Sequence, residues 1–190
     1  ELCAWLLNDK QVQVVWITGP GGTGKSTLAL SLLRRHRMEL SRRFDYVLWI
    51  DDEQGDYEQG LRQVAEQLQL AETGNPEQII RQKASHYRLL LILDTLHNPV
   101  ELVRWRQLIG TLGKLVVTSR TRLSEPELRS DDTLRQIRLG GFSLEQGRAF
   151  LRQTGPAVDS LHEKTAGLPL ALCILSGLLH ELGCSADELV

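Results

Sequence analysis

Gly19-Pro20-Gly21-Gly22-Thr23-Gly24-Lys25-Ser26-Thr27 is the stretch whose reading decides the fold. It fits G-x-x-x-x-G-K-[ST], the pattern of a phosphate-binding loop, or P-loop. The flanks agree with it. Val12 to Ile17 is a short apolar run that predicts a buried strand, and Thr27 to Leu33 is Leu- and Ala-rich and predicts a helix. Strand, loop, helix is the context the pattern requires. Glycines let the backbone wrap closely around an anion, because a Cβ would clash or forbid the dihedrals. Successive N–H groups of the loop then point inward as a nest, and the helix N-terminus adds its positive dipole end. Lys25 would bridge the β- and γ-phosphates of a nucleotide, and the Ser26 hydroxyl would ligate Mg²⁺. Thr27 matches no required position and is a first-turn helix residue beside the nucleotide.

The second signal is Leu89-Leu90-Leu91-Ile92-Leu93-Asp94. Five apolar residues ending in a carboxylate read as a buried strand of the Walker B type, which delivers Asp94 to the sheet edge to hold Mg²⁺. Thr95 follows where many P-loop ATPases place an acidic residue that positions the attacking water, so fast hydrolysis is not expected. A further strand, Leu115 to Val117, ends in Thr118-Ser119-Arg120, and Arg120 is the residue placed to reach a γ-phosphate. Lys25, Asp94 and Arg120 are therefore the expected reactive set, with Ser26 and Asp94 on the metal.

The rest of the chain supplies the frame. Tyr46 to Ile50 reads as a strand, with Asp51, Asp52 and Glu53 at its C-terminal end, where ligands sit in open parallel sheets. Helices are expected from Tyr57 to Leu70, Pro76 to His86 and Pro99 to Ile109, and a fifth, edge-type strand from Leu134 to Leu139. Arg34, Arg35, His36, Arg37, Arg42 and Arg43 form a basic cluster that complements a helix C-terminus. After Gly140-Gly141 only helices follow. Ser143 and Gln146 form a capping box, and Leu168-Pro169-Leu170 opens a long apolar helix. This places a nucleotide-binding domain at 1–141 and a small helical subdomain at 142–190. Both ends look cut, so the chain reads as part of a larger protein.

Composition bounds the function. The chain has 190 residues, 42% hydrophobic and 24% charged, which suits a soluble globular domain. A net charge of −2 argues against direct nucleic-acid binding. Cys3, Cys173 and Cys184 have no zinc spacing and read as reduced thiols of a cytoplasmic protein. No apolar run is long enough to span a membrane. The five histidines form no ligand pattern, and Trp5, Trp16, Trp49 and Trp105 read as core.

The motifs in order, closing with Gly167-Leu168-Pro169-Leu170-Ala171-Leu172, resemble the NB-ARC module of STAND-type signalling ATPases, a group that includes apoptosome adaptors, plant resistance receptors and bacterial regulators. The resemblance covers nearly the whole chain, and the GLPLAL element is its most specific part. It implies a P-loop NTPase fold: three α/β/α layers around a five-stranded parallel sheet with the P-loop strand beside the Arg120 strand, followed by a helical ARC-type subdomain. It also implies that Arg120 senses the γ-phosphate and that Pro169, with Leu170, lies against the nucleotide base or sugar. The family holds ADP when off, exchanges it for ATP when on and then oligomerises. By resemblance the cofactors are ATP or ADP with Mg²⁺, and the partners are other domains of the same longer chain and further copies of itself. Thr95 departs from the family's second Asp. An AAA+-like ATPase with real turnover, and an accessory domain of a DNA-binding regulator, are the competing readings.

Overall fold

A computed structural model describes residues 2–52, 55–70, 74–124, 126, 128 and 130–188. Glu53, named above at the end of a strand, lies outside them. The chain divides into two compact units. The first comprises Glu1–Gly19 and Lys25–Arg138, and the second Pro20–Gly24 and Leu139–Val190.

The first unit is built on five parallel strands: β1 (Val14–Thr18), β2 (Tyr46–Asp51), β3 (Leu89–Asp94), β4 (Lys114–Ser119) and β5 (Leu134–Arg138). Their order is β2-β3-β4-β1-β5. The β1 strand therefore pairs with β4 on one side (Thr18 opposite Ser119) and with β5 on the other (Thr18 opposite Arg138). The central strands β1, β3 and β4 are buried almost throughout, as strands covered on both faces must be. The edge strand β5 is only partly buried, which explains its alternating Arg and Gln.

Alternation along the strands sorts the two faces. Val14, Trp16, Leu91, Leu93, Leu115 and Val117 share one apolar cluster with residues of α4 (Tyr57–Gln67), α5 (Pro76–Ala84) and α6 (Glu101–Ile109). Val15, Ile17, Leu90, Ile92 and Val116 are also fully buried but lie outside that cluster, on the opposite face. There α1 (Leu2–Leu7) meets β1, α2 (Lys25–Arg35) meets β4, and α3 (Arg37–Arg43) packs on both helices. Three layers result. Asn75 caps α5 with Pro76 in its first turn, and Asp56 caps α4 by accepting from the Glu58 N–H.

Two details depart from the sequence reading. The basic cluster after α2 is not simply a helix end: the chain breaks at His36 and forms α3, which buries Leu40, exposes Arg37 and Arg42 and leaves Arg43 half-buried. Of the four tryptophans, Trp16 and Trp105 are fully buried, whereas Trp5 and Trp49 are only half-buried.

The second unit holds α7 (Leu144–Leu151), α8 (Pro156–Lys164), α9 (Pro169–Leu182) and a short 3-10 turn at Ala186–Glu188. Leu151, Val158, Leu161 and Leu172 form its core. The Ser143–Gln146 capping box is present, and Arg148 grips Asp159 through two hydrogen bonds of 2.8 and 2.6 Å. Gly167 ends the turn after α8 at φ +63, and a Cβ there would lie 2.4 Å from the Phe142 carbonyl oxygen. A left-handed backbone and that close approach together require glycine.

Candidate functional site

The topology brings three strand ends together at one edge of the sheet. Because β4 lies between β1 and β3, the residues that follow or finish these strands become neighbours: Lys25 and Ser26, Asp94, and Thr118 to Arg120. The Ser26 hydroxyl donates to Asp94 Oδ1 at 2.7 Å. The Thr118 hydroxyl donates to the same oxygen at 2.5 Å and accepts from the Thr95 N–H at 2.8 Å. One carboxylate is thus held by two hydroxyls, one of them anchored in turn by backbone. Thr118 is fully buried, and the sequence reading quoted it only as part of the Thr118-Ser119-Arg120 strand end, with no role of its own.

Lys25 Nζ donates to the Gly19 carbonyl at 2.9 Å. Burial depresses the Lys25 pKa, the Arg120 charge depresses it further, and Asp94 opposes both. Lys25 therefore sits in the field of a second cation and of one carboxylate. The first turn of α2 contains no acidic residue, so its N-terminal N–H groups add positive partial charge beside Lys25. Such a place suits polyanionic phosphates. Hydroxyl and carboxylate oxygens are the hard donors that Mg²⁺ prefers, and Ser26 and Asp94 supply them side by side.

Arg120 is exposed and follows β4 directly, on a tightly fixed backbone. Ser119 Oγ donates to the Leu96 carbonyl and accepts from the Thr121 N–H, while the Thr121 carbonyl accepts from Thr18 Oγ1 and Trp16 Nε1. Thr27 is exposed on the first turn of α2. Thr95 adopts φ +66, a left-handed conformation that is uncommon for a β-branched residue.

Pro20 to Gly24 belong to the second unit and are described within it. Gly22 and Gly24 take φ of +77 and +86, as a tight loop requires. Thr23 Oγ1 donates to the Pro20 carbonyl at 2.9 Å. The Gly22 carbonyl accepts from the Leu170 N–H at 3.1 Å, and a Cβ on Gly22 would lie 3.0 Å from Leu170 Cβ. Pro169 occupies the first turn of α9, with Leu168 as its N-cap. The GLPLAL segment and the glycine loop thus meet within this unit, although nearly the whole first unit separates them in sequence.

Asp52, at the end of β2, is a second acidic feature. It is 2% exposed, and neither carboxylate oxygen has a hydrogen-bond partner among the described residues. Burial raises its pKa to about 6, and Glu101, Asp51 and Asp56 raise it too, against His97. Among the described residues no group of three or more His, Cys, Asp or Glu side chains is arranged to hold a metal. No described helix is long and apolar enough to cross a membrane.

Comparison with known proteins agrees with this geometry. The chain is 25% identical to Disease resistance protein RML1B of Arabidopsis thaliana, over 96% of its own length and 20% of that protein's. It is 25% identical to Disease resistance RPP13-like protein 4 of the same plant, over 92% of the chain and 23% of that relative. The chain thus spans about a fifth of the curated relatives it matches. Among solved structures, a STAND protein with a tetratricopeptide repeat sensor from Pyrococcus horikoshii matches with a TM-score of 0.57 at 16% identity, covering 90% of this chain and 28% of that one. The ORC2 protein of Aeropyrum pernix, solved in ADPNP–ADP complexes, matches with a TM-score of 0.63 at 17% identity, covering 98% and 64%. At such identities these two speak for the fold alone. The NB-ARC domain profile matches residues 1–125, well over half of the chain. A profile match of that extent, on a five-stranded parallel sheet that carries a P-loop, means that this chain belongs to the NB-ARC family.

Proposed function

We propose that the chain is the ATP/ADP-binding switch module of a STAND-type signalling protein, in which exchange of ADP for ATP controls domain arrangement and oligomerisation. In this reading Lys25 and the Gly19 to Gly24 backbone hold the phosphates, with Thr27 beside them, and Ser26 and Asp94 hold Mg²⁺. Arg120 reads the γ-phosphate, and Pro169 with Leu170 lies on the base side. When bound, Mg²⁺ would neutralise phosphate charge, and the chain's own task is to orient it. The observation that carries the reading is the Ser26–Asp94–Thr118 constellation beside a Lys25 already in the field of Arg120. A switch needs different affinity for its two nucleotides and no rapid turnover. Thr95, in place of an acidic residue after Asp94, supports slow hydrolysis. The proposed setting is cytoplasmic, with other domains of the longer protein and further copies of it as partners and no direct contact with nucleic acid.

The test is nucleotide identity. The protein is purified without added nucleotide, denatured, and its supernatant resolved by anion exchange, alongside Lys25→Ala. Bound ADP that is lost in the variant is the expected result. A steady-state ATPase rate in the ordinary enzyme range, about 1–1000 per second, would instead favour the turnover reading. A protein that neither carries nor takes up ADP or ATP would sink both.

A further inference from the structure

The opposite edge of the sheet in the first unit, where the strands begin, holds a cavity of about 430 Å³. Lys10, Arg43, Arg88 and Lys114 line it, together with apolar Val12 and Phe44. The four cations come from four places in the chain: the turn before β1, the end of α3, the residue before β3 and the first residue of β4. Lys114 is 6% exposed, and its ammonium donates to the carbonyls of Trp5 (2.8 Å) and Asp9 (2.5 Å). Burial and the nearby Arg43 charge push its pKa down to about 8, with Asp9 opposing. Arg88 is paired with Asp45 at 3.3 Å. Arg43 is half-buried, and its side chain has no hydrogen bond or ion pair among the described residues.

Asp45 and Asp9 offset two of the four cations. The remaining positive charge faces a concave, partly apolar space, where water screens it poorly. Two cations this close raise each other's energy until an anion arrives. A guanidinium beside an ammonium matches a phosphate group, the first through a planar fork and the second as a point charge. The volume lies in the range of small-molecule sites. We infer that this cavity is a second anion site, separate from the P-loop, that takes a small phosphorylated molecule, with Arg43 as its main contact.

The inference does not depend on the nucleotide reading, and its test keeps the two apart. Inorganic pyrophosphate is titrated by calorimetry at low salt into the chain carrying Lys25→Ala, which weakens phosphate capture at the P-loop. One saturable site is expected, weakened at least about tenfold when Arg43→Gln is added, a difference of about 1.4 kcal/mol. Arg43 lies outside the core, so an unchanged melting temperature for that variant is expected and shows that the fold is intact. Absence of saturable binding overturns the inference. So does equal affinity with and without Arg43→Gln. A hexaglutamate peptide that binds through Arg43 while pyrophosphate does not would overturn it too, in favour of an acidic protein segment.

Discussion

Thr118 Oγ1 accepts the Thr95 N–H at 2.8 Å and passes its own proton toward Asp94 Oδ1, so one buried hydroxyl ties the end of β4 to the end of β3. Thr95 sits at φ +66, and this bond helps hold it there. Strain of this kind costs on the order of 1–3 kcal/mol and persists where its surroundings over-determine it. Thr118→Val keeps the shape, orphans the Thr95 N–H and removes one of the two hydroxyls on Asp94. Leaving a buried donor unpaired costs about 1–3 kcal/mol, and since Thr95 is only partly buried urea unfolding should show a loss of up to that size. In the proposed function Asp94 also loses orientation. Nucleotide affinity should then fall several-fold in Mg²⁺ and hardly change in EDTA. An equal fall in both buffers would mean that Thr118 acts on the fold alone.

Asp52 gives the protein a pH dependence with a definite sign. Its folded pKa, about 6, lies above the ordinary carboxylate value of 3.8. The folded state therefore binds its proton more tightly than the unfolded state does. Its contribution is fully present below about pH 4 and is lost as the pH rises through 6. At 1.36 kcal/mol per unit the loss is at most about 3 kcal/mol. Asp52→Asn removes the buried charge and should raise the urea midpoint at pH 8 while leaving it nearly unchanged at pH 4. Parallel curves for the two proteins across that range would contradict the assignment.

Gly60 is a matter of space rather than of dihedral freedom. A Cβ there would stand 2.7 Å from two ring atoms of Trp105, which is fully buried and stacked edge-on to Tyr57 with ring centroids 4.7 Å apart. The ring has nowhere to retreat, so Gly60→Ala should destabilise by about 1–3 kcal/mol despite the better helix propensity of alanine. Calorimetric melting would show it as a lower transition temperature. The double variant Gly60→Ala/Trp105→Leu should recover part of the loss relative to Trp105→Leu alone.

Much of the fold could be read directly. Four of the five strands announced themselves as apolar runs and β5 by its alternation, and β3 was delimited to the residue because Asp94 ends it and Arg88 precedes it. The α3 helix escaped because its seven residues carry only Met38 and Leu40 among arginines, too short a stretch for an apolar period to show. Lys25, Ser26 and Asp94 stood out through their motifs. Thr118 did not, since a threonine inside a buried strand looks like any β-former, and only the strand order sets it against Asp94. Asp52 read as a carboxylate at a strand end, and its burial did not show because sequence carries no measure of burial. The cations of the opposite edge are scattered over about a hundred residues, and no local pattern joins Lys10 to Lys114.

The place of β1 between β4 and β5 has a consequence for how the protein is made. Of these five strands, the one that leads into the glycine loop emerges first from the ribosome, yet both its neighbours come about a hundred residues later, since Thr18 faces Ser119 and Arg138. Loop closure over such distances slows folding, and during synthesis at about 5–20 residues per second β1 stays without partners for several seconds or more. The β2–β3 pair, by contrast, can form as soon as Asp94 has emerged, and β4 can then dock beside β3. Nascent chains too short to include Arg138 leave one side of β1 open, an unpaired apolar edge of the kind that chaperones cover. In the proposed function, nucleotide capture is accordingly a late event in the life of the chain, and one that would report completion of the sheet.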